Sequence, residues 1–146
     1  MKKLFFVVAI VTVVSMATHA QDDTDRESLY ILFSANSASL TAVGTEQAIV
    51  NQLILIQVVE LLQDNPEYRL LIDGHANSVL GTAREERDAL LPLSRQRAEA
   101  VANFLVEYYG ISRNRLIIAG AGGGFPIDDN DGTQNRRVSF LLIPPR

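Results

Sequence analysis

The sequence predicts a small α/β domain, an α+β sandwich in which two helices pack on one face of a mixed four-stranded sheet. Its β-rich runs and helical segments follow each other in the order β-α-β-α-β-β, which is typical of a sheet covered by helices. The chain has 146 residues, a length that suits one domain. Because 47% of the residues are hydrophobic and 21% are charged, the chain can build a core and is not disordered as a whole.

The first half of this pattern consists of a strand, a helix and a second strand. Residues 29–33 are β-rich and predict the first strand. Residues 46–63 are the most apolar stretch, and their length favours a helix although their Ile and Val content would suit a strand. Since this segment is apolar almost all round, we expect it to be more buried than a surface helix. Residues 68–73 predict the second strand, which ends at Gly74.

The second half contains a helix and two strands. Residues 75–92 are interpreted as a long connection that holds a run of charged residues at 84–88. Ser94 is expected to cap a helix that continues to Tyr109, with Gly110 ending it. Residues 115–119 predict the third strand, residues 120–132 a turn rich in Gly, Pro and Asp, and residues 136–143 the fourth strand.

The first twenty residues have the features of a secretory signal peptide. Two lysines precede an apolar run, which ends in a small-residue cleavage pattern at Ala20. The run is shorter than the ~20 apolar residues that a membrane span needs, and no later segment is long and apolar enough. We therefore expect a leader at residues 1–20, a polar tail at 21–28 and a secreted domain at 29–146.

Composition and charge argue against several classes of function. The chain has no cysteine, which excludes a disulfide scaffold, a thiolate metal site and a cysteine nucleophile. Its pI of about 5.1 argues against nucleic-acid binding through a basic face. His75 is the only histidine outside the leader, so neither a metal site nor a cofactor is predicted. We expect His75 to be structural, and a triad with Ser78 and Asp73 is the weaker alternative because no G-x-S-x-G motif is present.

Arg97 has the most unusual position. If Ser94 caps the helix, Arg97 lies in its first turn, where a cation opposes the helix dipole by ~0.3–1 kcal/mol. One explanation is a structural salt bridge with Glu86, Asp88 or Glu99. The other is that Arg97 faces the carboxylate of a ligand, assisted by free backbone N–H groups at the same helix start. The physical argument leaves both open.

Five segments in the same order resemble those of the OmpA-like peptidoglycan-binding domains, the family of the OmpA C-terminal domain, Pal and MotB. The segment Leu93-Ser94-x-x-Arg97-Ala98-x-x-Val101 matches the family's LSxxRAxxV motif, and Gly74-His75-Ala76-Asn77 resembles its GHTD motif. The other matches are Asn135-Arg136-Arg137-Val138 with NRRV, Gly120-x-Gly122 and Pro126 with a G-x-G…P turn, and the block around Asn36 with the family's opening block.

The resemblance implies a binding module, not an enzyme, that holds the free diamino-acid end of the peptidoglycan stem peptide non-covalently. It implies that Arg97 grips a carboxylate of the diamino acid and that Asn77 occupies the position of the aspartate that meets the ammonium. Asn36 would line the pocket and Leu93 would pack beside the peptide. Arg136 corresponds to the NRRV arginine nearest the site.

Two departures from the family pattern concern the ammonium side. Asn77 replaces an aspartate, and Leu90 replaces an asparagine three residues before the motif leucine. The loop at residues 77–93 is also longer than in the family. Glu85, Glu86 or Asp88 in this loop would then substitute for the missing carboxylate, or the ammonium would stay partly in water. The alternative is that these acids belong to a solvated charged loop.

Three functions follow from these expectations. The first is peptidoglycan binding for anchoring or integrity of the cell envelope, with peptidoglycan as partner and an outer-membrane protein or lipoprotein as a further partner that provides a tether. The second is an interaction protein that kept the fold but lost wall binding, with the apolar helix at residues 46–63 contacting the partner. The third is a cell-wall hydrolase, for which the sequence shows no catalytic constellation.

Overall fold

The computed structural model describes residues 29–146, so the expected leader at 1–20 and tail at 21–28 lie outside the described residues. Its strands are β1 (Tyr30–Leu32), β2 (Arg69–Gly74), β3 (Leu116–Gly120) and β4 (Arg137–Ile143). Its helices are α1 (Thr45–Asp64), α2 (Ala83–Glu85), α3 (Leu91–Tyr109) and α4 (Gly132–Asn135). A π-helical turn at Glu86–Leu90 joins α2 to α3, and a 3₁₀ turn at Arg113–Arg115 precedes β3.

The four strands form one mixed sheet in the order β1-β4-β2-β3. Strands β2 and β3 are parallel, with Gly74 opposite Gly120, and the helical segment between them provides the crossover. Strand β4 lies antiparallel to both β1 and β2. The predicted fold class, with its mixed four-stranded sheet and its order of main elements, is confirmed, and the strand ends differ by about one residue, as is usual.

The core lies between one face of this sheet and the two long helices. Alternate residues of the strands point toward the helices, so Ile72 of β2 and Val138 of β4 are fully buried. Helix α1 buries one face and leaves Ile49 and Leu53 each 57% exposed. The expectation that this helix is more buried than a surface helix is therefore wrong for its first half. Because α1 packs on the edge strand β1, the sheet can cover only one of its faces.

The helical segment before β3 starts earlier than the sequence indicated. Thr82 caps α2 by accepting a hydrogen bond from the N–H of Glu85, which is one half of a T-x-x-E capping box. The carboxylate of Glu85 accepts from the N–H of Gly81 and its neighbours, and not from that of Thr82. The chain then stays helical through the π-helical turn into α3. The prediction that Ser94 is an N-cap is wrong, and Arg97 does not lie in a first turn. The argument from the helix dipole and from free N–H groups therefore does not apply to Arg97.

Candidate functional site

Two glycines allow α3 to cross closely over the ends of β2 and β3. A Cβ atom on Gly74 would overlap the carbonyl oxygen of Ser94, and one on Gly120 would lie 2.8 Å from the backbone nitrogen of Arg95. Ser94 is fully buried at this crossing, where its hydroxyl donates to the carbonyl of Leu91 and accepts from the N–H of Gly122. The crossing fixes α3 against the strand ends and places the next helical turn beneath the residues that follow β2.

Arg97 lies on that turn and is completely buried. Its Nε donates to the carbonyl of Ser37 at 2.8 Å, its Nη1 to that of His75 at 2.8 Å and its Nη2 to that of Ser34 at 3.0 Å. The guanidinium carbon also lies 5.5 Å from the centre of the Phe33 ring. Arg97 therefore joins the β1–α1 loop to the end of β2.

The buried charge of Arg97 has no carboxylate partner among residues 29–146. The proposed salt bridges are wrong, because Glu86 accepts from the backbone of Gly123, while Asp88 and Glu99 pair with other arginines. Burial, with a contribution from the charge of Arg136, lowers the pKa of Arg97 to about 10. Backbone carbonyls use three of its five N–H groups, so the site combines an unneutralised cation with spare donors.

Arg136 contacts the same loop. Its Nε donates to the carbonyl of Phe33 at 3.3 Å, and its Nη2 donates to the hydroxyl of Thr133 at 3.2 Å. Asn36 lies in the loop that the two arginines contact, is exposed, and has a left-handed backbone with φ of 52°. Asparagine tolerates that conformation better than most residues. Two positive charges thus lie at one loop.

A cleft of about 120 Å³ opens beside the segment that follows β2. Its lining residues are Ala76, Asn77, Ser78, Gly123, Pro126, Asp129 and Asn135. The buried side chain of Asn135 supports this cleft: its Nδ2 donates to Oδ1 of Asn77 at 3.0 Å, and its Oδ1 accepts from the N–H groups of Ile127 and Asp128.

Glu85, Glu86 and Asp88, which the sequence analysis placed in a long loop, lie in α2 and the π-helical turn and have partners outside the cleft. The carboxylate of Glu85 accepts hydrogen bonds, all at 2.9 Å, from the hydroxyl of Ser78 and from the N–H groups of Val79, Leu80 and Gly81. These bonds, with that of Val79 the largest, hold the pKa of Glu85 below its ordinary value. Glu86 binds the N–H of Gly123, and Asp88 lies beside two arginines. Glu85 and Glu86 thus order the loop, and none of the three acids is among the lining residues of the cleft.

His75 lies at the sheet and does not form a catalytic triad. Its Nε2 is 3.2 Å from the hydroxyl of Ser139 and 3.5 Å from Oδ2 of Asp73, while its Nδ1 is buried without a partner in the described part of the chain. A triad needs both ring nitrogens, one toward the nucleophile and one toward the acid. Ser78 is bonded to Glu85 instead. Burial, with a contribution from Arg137, lowers the pKa of His75 to about 4, so the ring is neutral near pH 7.

The predicted site residues divide between two places. Asn77 lines the cleft, whereas Arg97, Arg136 and Asn36 lie at the β1–α1 loop. Leu93 is half-buried on α3 and is not among the lining residues of the cleft. Leu90, the second position that departs from the family pattern, is buried and packs near Gly123. A Cβ atom on Gly123 would lie 2.8 Å from Cδ1 of Leu90.

Sequence reasoning missed two residues of the cleft. Asp129 was assigned to a turn that had no distinguishing signal. Asn135 was visible only as part of the NRRV motif, and its burial of 96% and its four hydrogen bonds depend on the folded loops.

Neither a spanning helix nor a metal cluster occurs in the described range. None of the helices within residues 29–146 combines the length and the hydropathy that crossing a bilayer requires. In the same range, no three His, Asp or Glu side chains are grouped so that they could hold a metal ion.

Comparisons with known proteins bear on the family and the fold. The sequence model of the OmpA family matches residues 32–139. Outer membrane porin F of Pseudomonas aeruginosa is 28% identical over 82 residues, which cover 56% of this chain and 22% of porin F, so the chain spans only about a fifth of that relative.

Solved structures show the same fold. The peptidoglycan-associated lipoprotein from Burkholderia pseudomallei superposes with a TM-score of 0.61 at 25% identity, covering 80% of this chain and 91% of that one. The C-terminal domain of Helicobacter pylori MotB superposes with a TM-score of 0.60 at 20% identity, covering 80% and 84% of the two chains. At that identity the likeness to MotB shows the fold alone.

Proposed function

Because this chain belongs to the OmpA family, we propose that it binds peptidoglycan non-covalently through the diamino-acid end of the stem peptide. In this proposal the domain is a binding module of the cell envelope and not an enzyme. The name of the similar Burkholderia protein, a peptidoglycan-associated lipoprotein, supports the choice of ligand.

The observation that carries the proposal is the buried, unneutralised guanidinium of Arg97. A cation removed from water is costly without an anion, and here only backbone carbonyls face it within residues 29–146. A ligand carboxylate would neutralise the charge and form stronger, charge-assisted hydrogen bonds. Arg136 adds a second positive charge at the same loop. The site is therefore electrostatically suited to an anionic group.

Access to Arg97 requires the β1–α1 loop to move. The carbonyls of Ser34 and Ser37 now occupy two of the donors, and the loop that carries them has no helix or strand before α1. In the proposal a ligand carboxylate replaces one of these carbonyls, while the contact with His75 stays in place. Asn36 lies in the same loop, and we propose that it lines the opened pocket, with Leu93 packing beside the peptide.

We propose that the chain acts in the periplasm, to which the expected leader would export it and where peptidoglycan is accessible. We propose that the leader is cleaved after Ala20 and that attachment to the outer membrane comes through a partner, an outer-membrane protein or a lipoprotein. Mass spectrometry of the exported protein would test the cleavage, since the mature chain should begin at Gln21. An intact Met1 on the exported species would refute it.

Isothermal titration with a synthetic stem tripeptide ending in meso-diaminopimelic acid would test the ligand. The informative variant is Arg97→Lys, because it keeps the charge but loses the forked donor geometry that suits a carboxylate. We expect its affinity to fall by about 1.5–3 kcal/mol, the scale of a hydrogen bond to a charged group. Arg95→Lys is the matched control, since Arg95 is an exposed neighbour on α3 that pairs with Glu99. Equal affinity of wild type and a folded Arg97→Lys protein would refute the assignment of Arg97.

A second candidate function is protein interaction without wall binding. The exposed apolar residues on α1, among them Ile49, Val50 and Leu53, favour it because a surface helix seldom presents such side chains together. Co-sedimentation with purified sacculi separates the two candidates, since a folded protein that stays in solution has lost wall binding. Release of soluble muropeptides in the same assay would instead support a hydrolase.

A further inference from the structure

We propose that Asp129 supplies the anionic contact for the ammonium of the bound diamino acid, in place of the aspartate that Asn77 replaces. This inference rests on the proposed function and identifies a specificity-determining residue of the same site. Its ligand group is a primary ammonium that accompanies a carboxylate, as on the side chain of diaminopimelic acid.

The cleft provides the first argument. Asp129 is the only carboxylate among the residues that line it, and the polar side chains that share the lining with it are neutral: Asn77, Ser78 and Asn135. A neutral amide meets an ammonium with a dipole only, whereas a carboxylate meets it with a full opposite charge. One accepting direction of the Asn77 Oδ1 atom is already used by Asn135. Asp129 is therefore the group in the cleft best suited to an ammonium.

The neighbouring acids provide the second argument. Asp128 accepts from the N–H groups of Asn130 and Asp131, and Asp131 accepts from the N–H of Thr133 as the cap of α4. These carboxylates order the turn itself. Within residues 29–146 the exposed carboxylate of Asp129 forms no hydrogen bond or ion pair, so it is available to a ligand.

The backbone that carries Asp129 is held in place on its N-terminal side. Both Nη atoms of Arg137 donate to the carbonyl of Phe125 at 3.2 Å, and Asn135 binds the N–H groups of Ile127 and Asp128. A carboxylate on a fixed backbone loses less conformational entropy on binding than one on a mobile loop. Asp129 is thus positioned before the ligand arrives.

Arg97 and the cleft lined by Asp129 both adjoin the segment that follows β2. Arg97 binds the carbonyl of His75, and the next residue along the chain, Ala76, begins the lining of the cleft. The cationic and anionic parts therefore adjoin neighbouring residues of one short segment. A ligand end that carries a carboxylate and an ammonium can contact both.

Calorimetry with two synthetic stem tripeptides tests the inference. One ends in meso-diaminopimelic acid with its side-chain amine free, and the other carries an acetyl group on that amine. We expect wild type to prefer the free amine by about three- to fivefold, on the scale of an exposed ion pair. Asp129→Asn should lose that preference and bind both peptides equally. Asn77→Asp in the Asp129→Asn background should restore it.

Glu67→Gln is the control for net charge, because Glu67 is an exposed acid outside the cleft. It should bind like wild type. If Asp129→Asn keeps the preference for the free amine while Arg97→Lys weakens binding, this inference is overturned and the proposed function stands. If wild type binds neither peptide, the proposed function fails and this inference falls with it.

Discussion

Arg97 and Asp129 carry the opposite charges of the candidate site, and their environments differ as much as their charges. Arg97 is fully buried and bound to three backbone carbonyls, whereas Asp129 is exposed on a turn and forms no hydrogen bond within the described residues. Burial makes the first residue part of the architecture of the fold. Exposure leaves the second one free for function alone.

This difference in burial predicts how substitution of each residue affects stability and ligand affinity. A buried charge interacts through a low effective dielectric, so its loss should affect stability and ligand affinity together. An exposed charge is screened by water and salt, so its loss should change affinity slightly and stability hardly at all. Substitutions at each residue can test whether the two effects separate in this way.

Arg97→Ala should reduce the free energy of unfolding by about 3–5 kcal/mol. The substitution leaves the carbonyls of Ser34, Ser37 and His75 without their donors and opens a cavity under the Phe33 ring. Urea denaturation would measure the loss. Asp129→Asn in the same experiment should change stability by less than about 0.5 kcal/mol. Equal stability of Arg97→Ala and wild type would contradict the architectural role of Arg97.

The free energy of unfolding should fall by about 2 kcal/mol between pH 6.5 and pH 4, because His75 is buried in its neutral form. The pKa of His75 is about 4 in the folded protein, below its ordinary 6.5, so in this range only the unfolded chain takes up the proton. The stability contribution is complete above pH 6.5 and is lost as the pH falls through 4. Asp73 offsets part of the effect, because burial raises its pKa.

Urea unfolding at pH 7, 5.5 and 4 would measure this dependence. His75→Asn removes the titrating group, so its stability should fall less steeply over the same range. Parallel pH profiles of variant and wild type would show that His75 does not carry the effect.

Asn77→Asp should tighten binding of the free-amine tripeptide by about 1 kcal/mol, the scale of a hydrogen bond that gains charge. The new carboxylate can keep the hydrogen bond from Asn135 while it adds a negative charge to the cleft. Calorimetry at low and at physiological salt would measure it, and the gain should shrink with salt. Unchanged or weaker affinity would mean that no ammonium enters this cleft.

Much of the fold was predictable because local sequence patterns indicate its strands, its long helix and its turns. The β-rich runs, the long apolar helix and the glycine after α3 lie where their periodicity and turn chemistry indicate, and Gly110 indeed has a positive φ of 65°. The start of the second helical region was missed although Thr82 and Glu85 have the spacing of a capping box. The charged run that follows was interpreted as a loop, because periodicity alone does not reveal a π-helical turn.

The candidate site was predictable in part. The motif resemblance singled out Arg97, Asn77 and Arg136, whereas Asp129 carried no signal because an aspartate in a Gly- and Asp-rich turn is ordinary. The proposed substitutes Glu85 and Glu86 had the right charge but were already bound to backbone N–H groups. Whether an acid is free or already paired depends on contacts between distant segments.

The fold class, the order of the main elements and the motifs that indicate the family can be recognised from the sequence, because they depend on local periodicity, turn residues and short spacings. Only the tertiary structure decided that Arg97 is buried without a carboxylate, and that Asn77 and Asp129 line one cleft. The physical reason is that burial, charge pairing and cleft formation arise where segments far apart in the chain meet: Arg97 contacts residues up to 63 positions away, and Asn77 contacts one 58 positions away.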